Sequence, residues 1–120
     1  VEKNLAHLSV DHGIFFFYRS DCRFCHQQAP ILQLLKAKYG INVMAISMDG
    51  GPIPNFPDAK PDNGISMVVS NGQGITTVPA IYLVKRDTRE AVPIGTGVLA
   101  AEEIADRVWI LTQTKPGDEF

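Results

Sequence analysis

The sequence predicts a single α/β domain in which a central mixed sheet of four strands is flanked by helices. In its first half, one apolar run precedes and another follows a segment with helical periodicity, which is the pattern of a βαβ unit. Its second half has two apolar runs around a charged turn and then an amphipathic segment, which predicts a ββα unit. The 120 residues make one domain, 1–120, with a lead-in at 1–12 and a tail at 114–120.

The elements of the βαβ half follow in order. Residues 13–18 form a continuous aromatic run, which is typical of a strand buried on both faces. Residues 22–39 have helical periodicity, and the Ser-Asp pair at 20–21 is a candidate N-cap for that helix. Pro30 is expected to kink the helix. Residues 41–48 are the second strand, and the helical connection is long enough for a parallel crossover.

The remaining elements follow a long loop. Residues 49–62 contain six glycines and prolines, which predicts a surface loop rather than a long helix or strand. A short helix is expected at 64–69. Strands at 80–84 and 91–96 form an antiparallel hairpin, and a helix over 102–112 closes the domain, with Trp109 at its margin.

Composition excludes several classes of partner. There are 11 lysines and arginines against 13 aspartates and glutamates, so the net charge is −2 and no basic field is available to bind nucleic acid. No apolar run exceeds five residues, whereas a helix that spans a bilayer needs about 20. We therefore expect neither nucleic-acid binding nor membrane insertion.

The two cysteines, Cys22 and Cys25, form a Cys-x-x-Cys motif at the start of the predicted helix. A helix N-terminus favours a thiolate, and Arg23 and a protonated His26 add positive charge nearby. Asp21 acts in the opposite direction, because a neighbouring negative charge raises a thiol pKa. Cys22 is thus the predicted attacking thiol and Cys25 the resolving one, and stabilising the thiolate makes their disulfide comparatively oxidising.

Three other interpretations of the cysteines remain open. A purely structural disulfide gains little stability from so short a loop. A zinc site lacks a second cysteine pair and would have to recruit His7, His12 and His26. Residues 22–26 also match the Cys-x-x-Cys-His pattern of covalent haem attachment, but a small cytochrome is mostly helical. If haem were attached to this motif, His26 would be the proximal iron ligand, and Met44, Met48 or Met67 would be the distal one. We expect no metal and no cofactor beyond the Cys22–Cys25 pair.

Several stretches together carry a resemblance to known proteins. They are the aromatic run at 15–18, the cysteine motif, Pro30 in the following helix and Thr77-Val78-Pro79 before a strand. On these features the chain resembles the thioredoxin superfamily over nearly its whole length. It is most similar to the TraF/TrbB-type conjugal-transfer proteins of F-type pilus assembly, through stretches that include Ser47-Met48-Asp49-Gly50-Gly51 and Val78-Pro79-Ala80. The Cys-x-aromatic-Cys-His pattern is also similar to disulfide isomerases of the DsbC type.

The resemblance has specific implications for the site. Pro79 is expected to be a cis proline against the active site, and the backbone of Val78 is expected to pair with an extended substrate. Tyr18 takes the position of an aromatic on the strand leading to the motif. Phe24, inside the motif, is expected to tune it and to form an apolar substrate rim with Tyr18, Val78 and Pro79. The resemblance also implies a periplasmic location, where disulfides form and reshuffle.

One departure from the superfamily bears on the direction of the reaction. Thioredoxins have a buried acid six residues before the first cysteine, and Phe16 stands at that position here. The lysine that accompanies the acid aligns with Ala45, and the tryptophan before the first cysteine is replaced by Asp21. The residues that form the proton relay of a thioredoxin-type reductant therefore have no counterparts at these positions of the sequence.

Two functions are compatible with these features. The first is a thiol–disulfide oxidoreductase, of the isomerase or oxidase kind, that acts on exported proteins with thiols or disulfides in conjugative pilus (type IV secretion) assembly. The alternative is a non-catalytic module that docks other components of the conjugation machinery, with loop 49–62 as its contact surface.

Overall fold

A computed structural model describes residues 10–113, and its central feature is one mixed sheet of five strands in the order β3-β2-β1-β4-β5. β2 runs parallel to β1 and β3, whereas β4 runs antiparallel to β1 and β5. The predicted α/β class and mixed sheet are confirmed, and β3 is one strand more than predicted. The strands are β1 (His12–Tyr18), β2 (Asn42–Ser47), β3 (Lys60–Pro61), β4 (Ala80–Lys85) and β5 (Ala91–Thr96), and the helices are α1 (Arg23–Tyr39), α2 (Ile65–Val69) and α3 (Ala101–Gln113).

Strand β1 lies in the middle of the sheet and is buried on both faces. Alternate side chains point to opposite faces, so Phe16 packs in one cluster with residues of α1 and α3, and Phe17 packs in a second cluster. The second cluster includes Ile46 of β2 and Val69 of α2. Two covered faces explain why the first apolar run is continuous rather than alternating.

Helix α1 carries the cysteine motif and begins differently from the prediction. Its N-cap is Cys22, which has an extended backbone and a sulfur that accepts the N–H of Cys25. The expected cap by the Ser-Asp pair at 20–21 is therefore wrong. The helix continues through Pro30 to Tyr39, and the C-cap is a glycine in the left-handed conformation.

The glycine- and proline-rich segment 49–62 is not merely a surface loop. Ile53 and Phe56 are buried, and the Phe56 ring lies 5.9 Å from that of Phe16. Its last residues form β3, which pairs in parallel with the end of β2. The segment thus folds over the end of the sheet that carries the cysteine motif.

The second half of the chain follows the predicted order of elements. Before α2, the Asp62 carboxylate accepts the backbone N–H of Ser66 at 2.9 Å. Trp109 packs partly against the core, as expected at the margin of α3. Leu111, near the end of α3, is 36% exposed. No helix among residues 10–113 is long and apolar enough to cross a membrane.

Gln28 is fully buried in α1 and joins this helix to the segment before α3. Its amide donates to the Leu99 carbonyl at 3.1 Å and accepts the Leu99 N–H at 2.6 Å. We expect Gln28→Leu to lower the free energy of unfolding by about 2–4 kcal/mol, because two buried backbone groups lose their partner. Urea denaturation measures the loss. Gln27→Leu, at an exposed position, is the matched control, and equal effects of the two substitutions would contradict the role of Gln28.

Candidate active site

The two cysteines lie at the N-terminus of α1 and form a disulfide, with their Cα atoms 5.2 Å apart. Cys25 is fully buried, whereas Cys22 is only partly buried. The backbone N–H of Cys25 donates to the Cys22 sulfur at 3.1 Å. Cys22 is therefore the accessible sulfur, and it lies where the helix dipole and a backbone N–H stabilise a negative charge.

The segment that enters β4 lies beside this sulfur. The Val78–Pro79 peptide bond is cis, as expected. The Val78 carbonyl oxygen is 3.9 Å from the Cys22 sulfur, and the backbone of Val78 meets no other hydrogen-bonding partner within residues 10–113. The next carbonyl, that of Pro79, accepts the N–H of Gly97 at 3.0 Å. An unpaired stretch of backbone is thus available next to the accessible sulfur.

The expected substrate rim is only partly exposed. Tyr18 is fully buried, stacks on Phe16 with ring centroids 5.6 Å apart, and donates its hydroxyl to the Gly51 carbonyl at 2.7 Å. This burial raises the pKa of Tyr18. Pro79 is also buried. Tyr18 and Pro79 are thus buried in this structure, and Tyr18 is in contact with loop 49–62. Their contact with a substrate stays a prediction.

The other two rim residues do reach the surface. Phe24 is 56% exposed at the start of α1, and Val78 is half-buried. Large apolar side chains with this exposure are candidates for contact with a partner.

Charged residues around the motif contact the turn before it rather than the sulfurs. Asp21 pairs with Arg19 at 3.0 Å, and that hydrogen bond holds the pKa of the Asp21 carboxyl below its usual range. The negative charge expected to oppose a Cys22 thiolate is thus partly neutralised. His26 donates from Nε2 to the Ser20 carbonyl at 2.7 Å, and Arg23 is exposed.

Asp49 is a residue of this region that the sequence analysis did not single out. Its two carboxylate oxygens each accept the Ser20 N–H at 3.1 Å, and one accepts the Ser20 hydroxyl at 2.6 Å. The Ser47 hydroxyl and the Gly51 N–H also donate to it. These hydrogen bonds, that of the Ser20 hydroxyl above all, hold the pKa of Asp49 well below its usual range. Because β2 runs parallel to β1, residues that follow β2 lie at the same edge of the sheet as the cysteine motif. This position was the signal from which Asp49 could have been predicted.

The position of the buried thioredoxin acid is apolar in the structure as well. Phe16 and Ala45 are paired neighbours in the register of β1 and β2, and both are buried. The two residues aligned with the acid and its lysine therefore lie together but provide no ionisable group.

The metal and haem interpretations find little support in the structure. No group of three or more His, Cys, Asp or Glu side chains within residues 10–113 could hold a metal ion. His12 begins β1, at the opposite end of the strand from the cysteine motif, and His7 lies outside the described residues. A five-stranded sheet also contradicts the mostly helical fold that the haem interpretation needs.

Comparison with protein families gives a match over most of the chain. The family model described as "TraF: F plasmid transfer operon protein" matches residues 1–109. Protein TraF of Escherichia coli (strain K12) is 29% identical over 101 residues, which are 84% of this chain and 39% of TraF. Protein TrbB of the same organism is 30% identical over 108 residues, which are 90% of this chain and 60% of TrbB. The chain thus spans less than two thirds of either relative.

Solved structures agree on the fold. A putative thiol:disulfide interchange protein DsbE from Chlorobium tepidum matches with a TM-score of 0.60 at 21% identity, covering 90% of this chain and 83% of its own. The thioredoxin domain of a thiol-disulfide oxidoreductase from Bacteroides vulgatus matches with a TM-score of 0.59 at 15% identity, covering 89% and 83%. Together with the family match, these similarities identify the chain as a member of the TraF family of F plasmid transfer operon proteins with a thioredoxin-like fold.

Proposed function

We propose that this domain is a thiol–disulfide oxidoreductase, of the oxidase or isomerase kind, that acts on exported proteins during conjugative pilus assembly. The observation that carries the proposal is the position of Cys22, which is the accessible sulfur, caps α1 and accepts the N–H of Cys25. Membership of the TraF family supports the conjugative context and a periplasmic location.

As an oxidant, the domain takes two electrons from a substrate dithiol. A substrate thiolate attacks the Cys22 sulfur, the Cys22–Cys25 bond breaks, and Cys25 leaves as a thiolate that takes up a proton. The second substrate thiolate then attacks the substrate sulfur of the mixed disulfide and releases the Cys22 thiolate. The N-terminus of α1 stabilises that leaving thiolate, which favours the step.

As an isomerase, the reduced domain starts from the same Cys22 thiolate. It attacks a mispaired substrate disulfide, forms a mixed disulfide and releases one substrate thiolate. That thiolate can attack another substrate disulfide, after which a substrate thiolate displaces Cys22. No net electrons are transferred in this cycle.

An extended substrate has an evident place to bind. Its backbone can pair with the open N–H and carbonyl of Val78, in the manner of strand addition, 3.9 Å from the Cys22 sulfur. Phe24, two residues after Cys22, offers an exposed apolar side chain. Backbone pairing and apolar contact are largely independent of sequence, which suits an enzyme that acts on several exported proteins.

Equilibration of the cysteine pair with glutathione buffers tests the proposal. We expect a reduction potential of about −120 to −200 mV, the range of oxidants and isomerases. A value of about −270 mV would be that of a reductant and would contradict the proposal. A pair that stays oxidised throughout would favour the alternative, a binding module that uses loop 49–62. The Cys25→Ser variant, which cannot form the disulfide, supplies the baseline.

A further inference from the structure

We propose that Asp49 is a positioning residue for Cys22, and that it acts by fixing the backbone of Ser20 in the turn before the motif. The inference rests on the proposed function of Cys22, but it concerns a residue that the proposed reaction does not use.

Ser20 lies two residues before Cys22, and its backbone is held from two sides. Its N–H donates to both carboxylate oxygens of Asp49 at 3.1 Å, and its carbonyl accepts Nε2 of His26 at 2.7 Å. The turn itself is closed by the N–H of Cys22, which donates to the Arg19 carbonyl at 3.1 Å. The backbone that leads to the attacking sulfur is thus tied to α1 on one side and to Asp49 on the other.

Asp49 is in turn tied to the sheet. It accepts the hydroxyl of Ser47 at 3.0 Å and the N–H of Gly51 at 3.1 Å. Ser47 is the buried last residue of β2, and it is in register with Tyr18, the last residue of β1. The carboxylate therefore relates the position of the turn to the ends of two central strands.

This anchor matters most when the disulfide is reduced. The cross-link to Cys25 then no longer holds the Cys22 sulfur at the helix N-terminus, whereas the Asp49–Ser20 contacts involve neither sulfur. The N–H of Cys25, 3.1 Å from the sulfur in the disulfide form, stabilises a Cys22 thiolate only while the sulfur stays within its reach. Loss of the anchor is thus expected to raise the pKa of Cys22.

The sign of that change separates positioning from charge. Removal of a nearby carboxylate, taken as a charge alone, lowers the pKa of a thiol. A positioning role predicts the reverse. Because Cys25 is fully buried, the rate at which iodoacetamide alkylates the reduced protein reports on Cys22.

The first test is the pH dependence of alkylation in Asp49→Ala. We expect the pKa of Cys22 to rise and the alkylation rate at pH 7 to fall about threefold to tenfold. Asp58→Ala, which removes an exposed carboxylate from the same loop, is the matched control and should leave the rate unchanged. An unchanged or lowered Cys22 pKa in folded Asp49→Ala would overturn the proposal.

The second test moves the turn and keeps every charge. A Cβ at Gly51 would overlap the side chain of Ser20, and Gly51 is not in the left-handed region, so alanine strains the contact rather than the local backbone. Gly51→Ala is expected to raise the Cys22 pKa in the same direction, and a Cys22 pKa equal to that of the unmodified protein would contradict the proposal. If urea denaturation shows that Asp49→Ala does not fold, the Cys22 pKa of Gly51→Ala tests the proposal in its place.

Alkylation requires no protein substrate, so the two proposals can fail separately. An unmodified protein that does not exchange disulfides with any substrate fails the proposed function. The shift in Cys22 pKa still decides whether Asp49 positions the sulfur.

Discussion

The Cys22→Ser variant is expected to lose thiol–disulfide exchange by more than about a thousandfold. A hydroxyl cannot form the mixed disulfide, and Cys25 cannot replace Cys22 because it is fully buried. The measurement is the recovery of activity by a protein substrate with scrambled disulfides, followed with the unmodified and the variant domain. Exchange retained by Cys22→Ser would contradict the proposed chemistry.

The matched Cys25→Ser variant should behave differently. In the unmodified domain the Cys25 thiolate can attack the Cys22 sulfur of a mixed disulfide, which re-forms the Cys22–Cys25 bond and releases the substrate thiolate. The variant keeps the accessible sulfur but lacks this route of release, so we expect it to accumulate a mixed disulfide with substrate. Electrophoresis without reductant detects that species. If Cys22→Ser trapped substrate and Cys25→Ser did not, the attacking and resolving roles would be reversed.

The Phe16→Ala variant is expected to lose about 3–5 kcal/mol of unfolding free energy. Phe16 is 0% exposed on the central strand, and its ring lies 5.6 Å from that of Tyr18 and 5.9 Å from that of Phe56. The substitution leaves a cavity where α1, β1 and loop 49–62 meet. Since domains are typically stable by about 5–15 kcal/mol, urea denaturation should show a large shift in midpoint.

Phe24→Ala is the control for this prediction, because it makes the same substitution on the surface. It should change the unfolding free energy by less than about 0.5 kcal/mol. Thiol–disulfide exchange with substrate should nevertheless slow, since Phe24 is part of the proposed substrate rim. Equal losses of stability in Phe16→Ala and Phe24→Ala would contradict the burial of Phe16.

The order of elements could be predicted because it depends on local patterns. Runs of apolar residues and two segments with helical periodicity are properties of short windows, and they correctly indicated a βαβ unit followed by a ββα unit. Strand β3 could not be predicted this way. It consists of Lys60 and Pro61, both exposed, and it is a strand only because the end of β2 lies beside it.

The candidate site divides in the same manner. Cys22 and Cys25 are only three positions apart in the sequence, so the motif was identified directly. The burial of Tyr18 arises from loop 49–62, which is distant in the chain, so no local pattern indicated it. Ser20 and Asp21 are good capping residues by type, but Asp49 and Arg19 engage them, and Cys22 becomes the N-cap instead.

The separation of Cys22 and Val78 along the chain has a consequence for the order in which the site forms. The two residues are 56 positions apart, and they meet only when β4 pairs with β1. Contacts between such distant segments form slowly, because a long loop must close first. The two cysteines, three positions apart, can therefore pair at the start of α1 before Val78 lies beside them. Within these 120 residues neither cysteine has another cysteine with which it could pair wrongly in that interval.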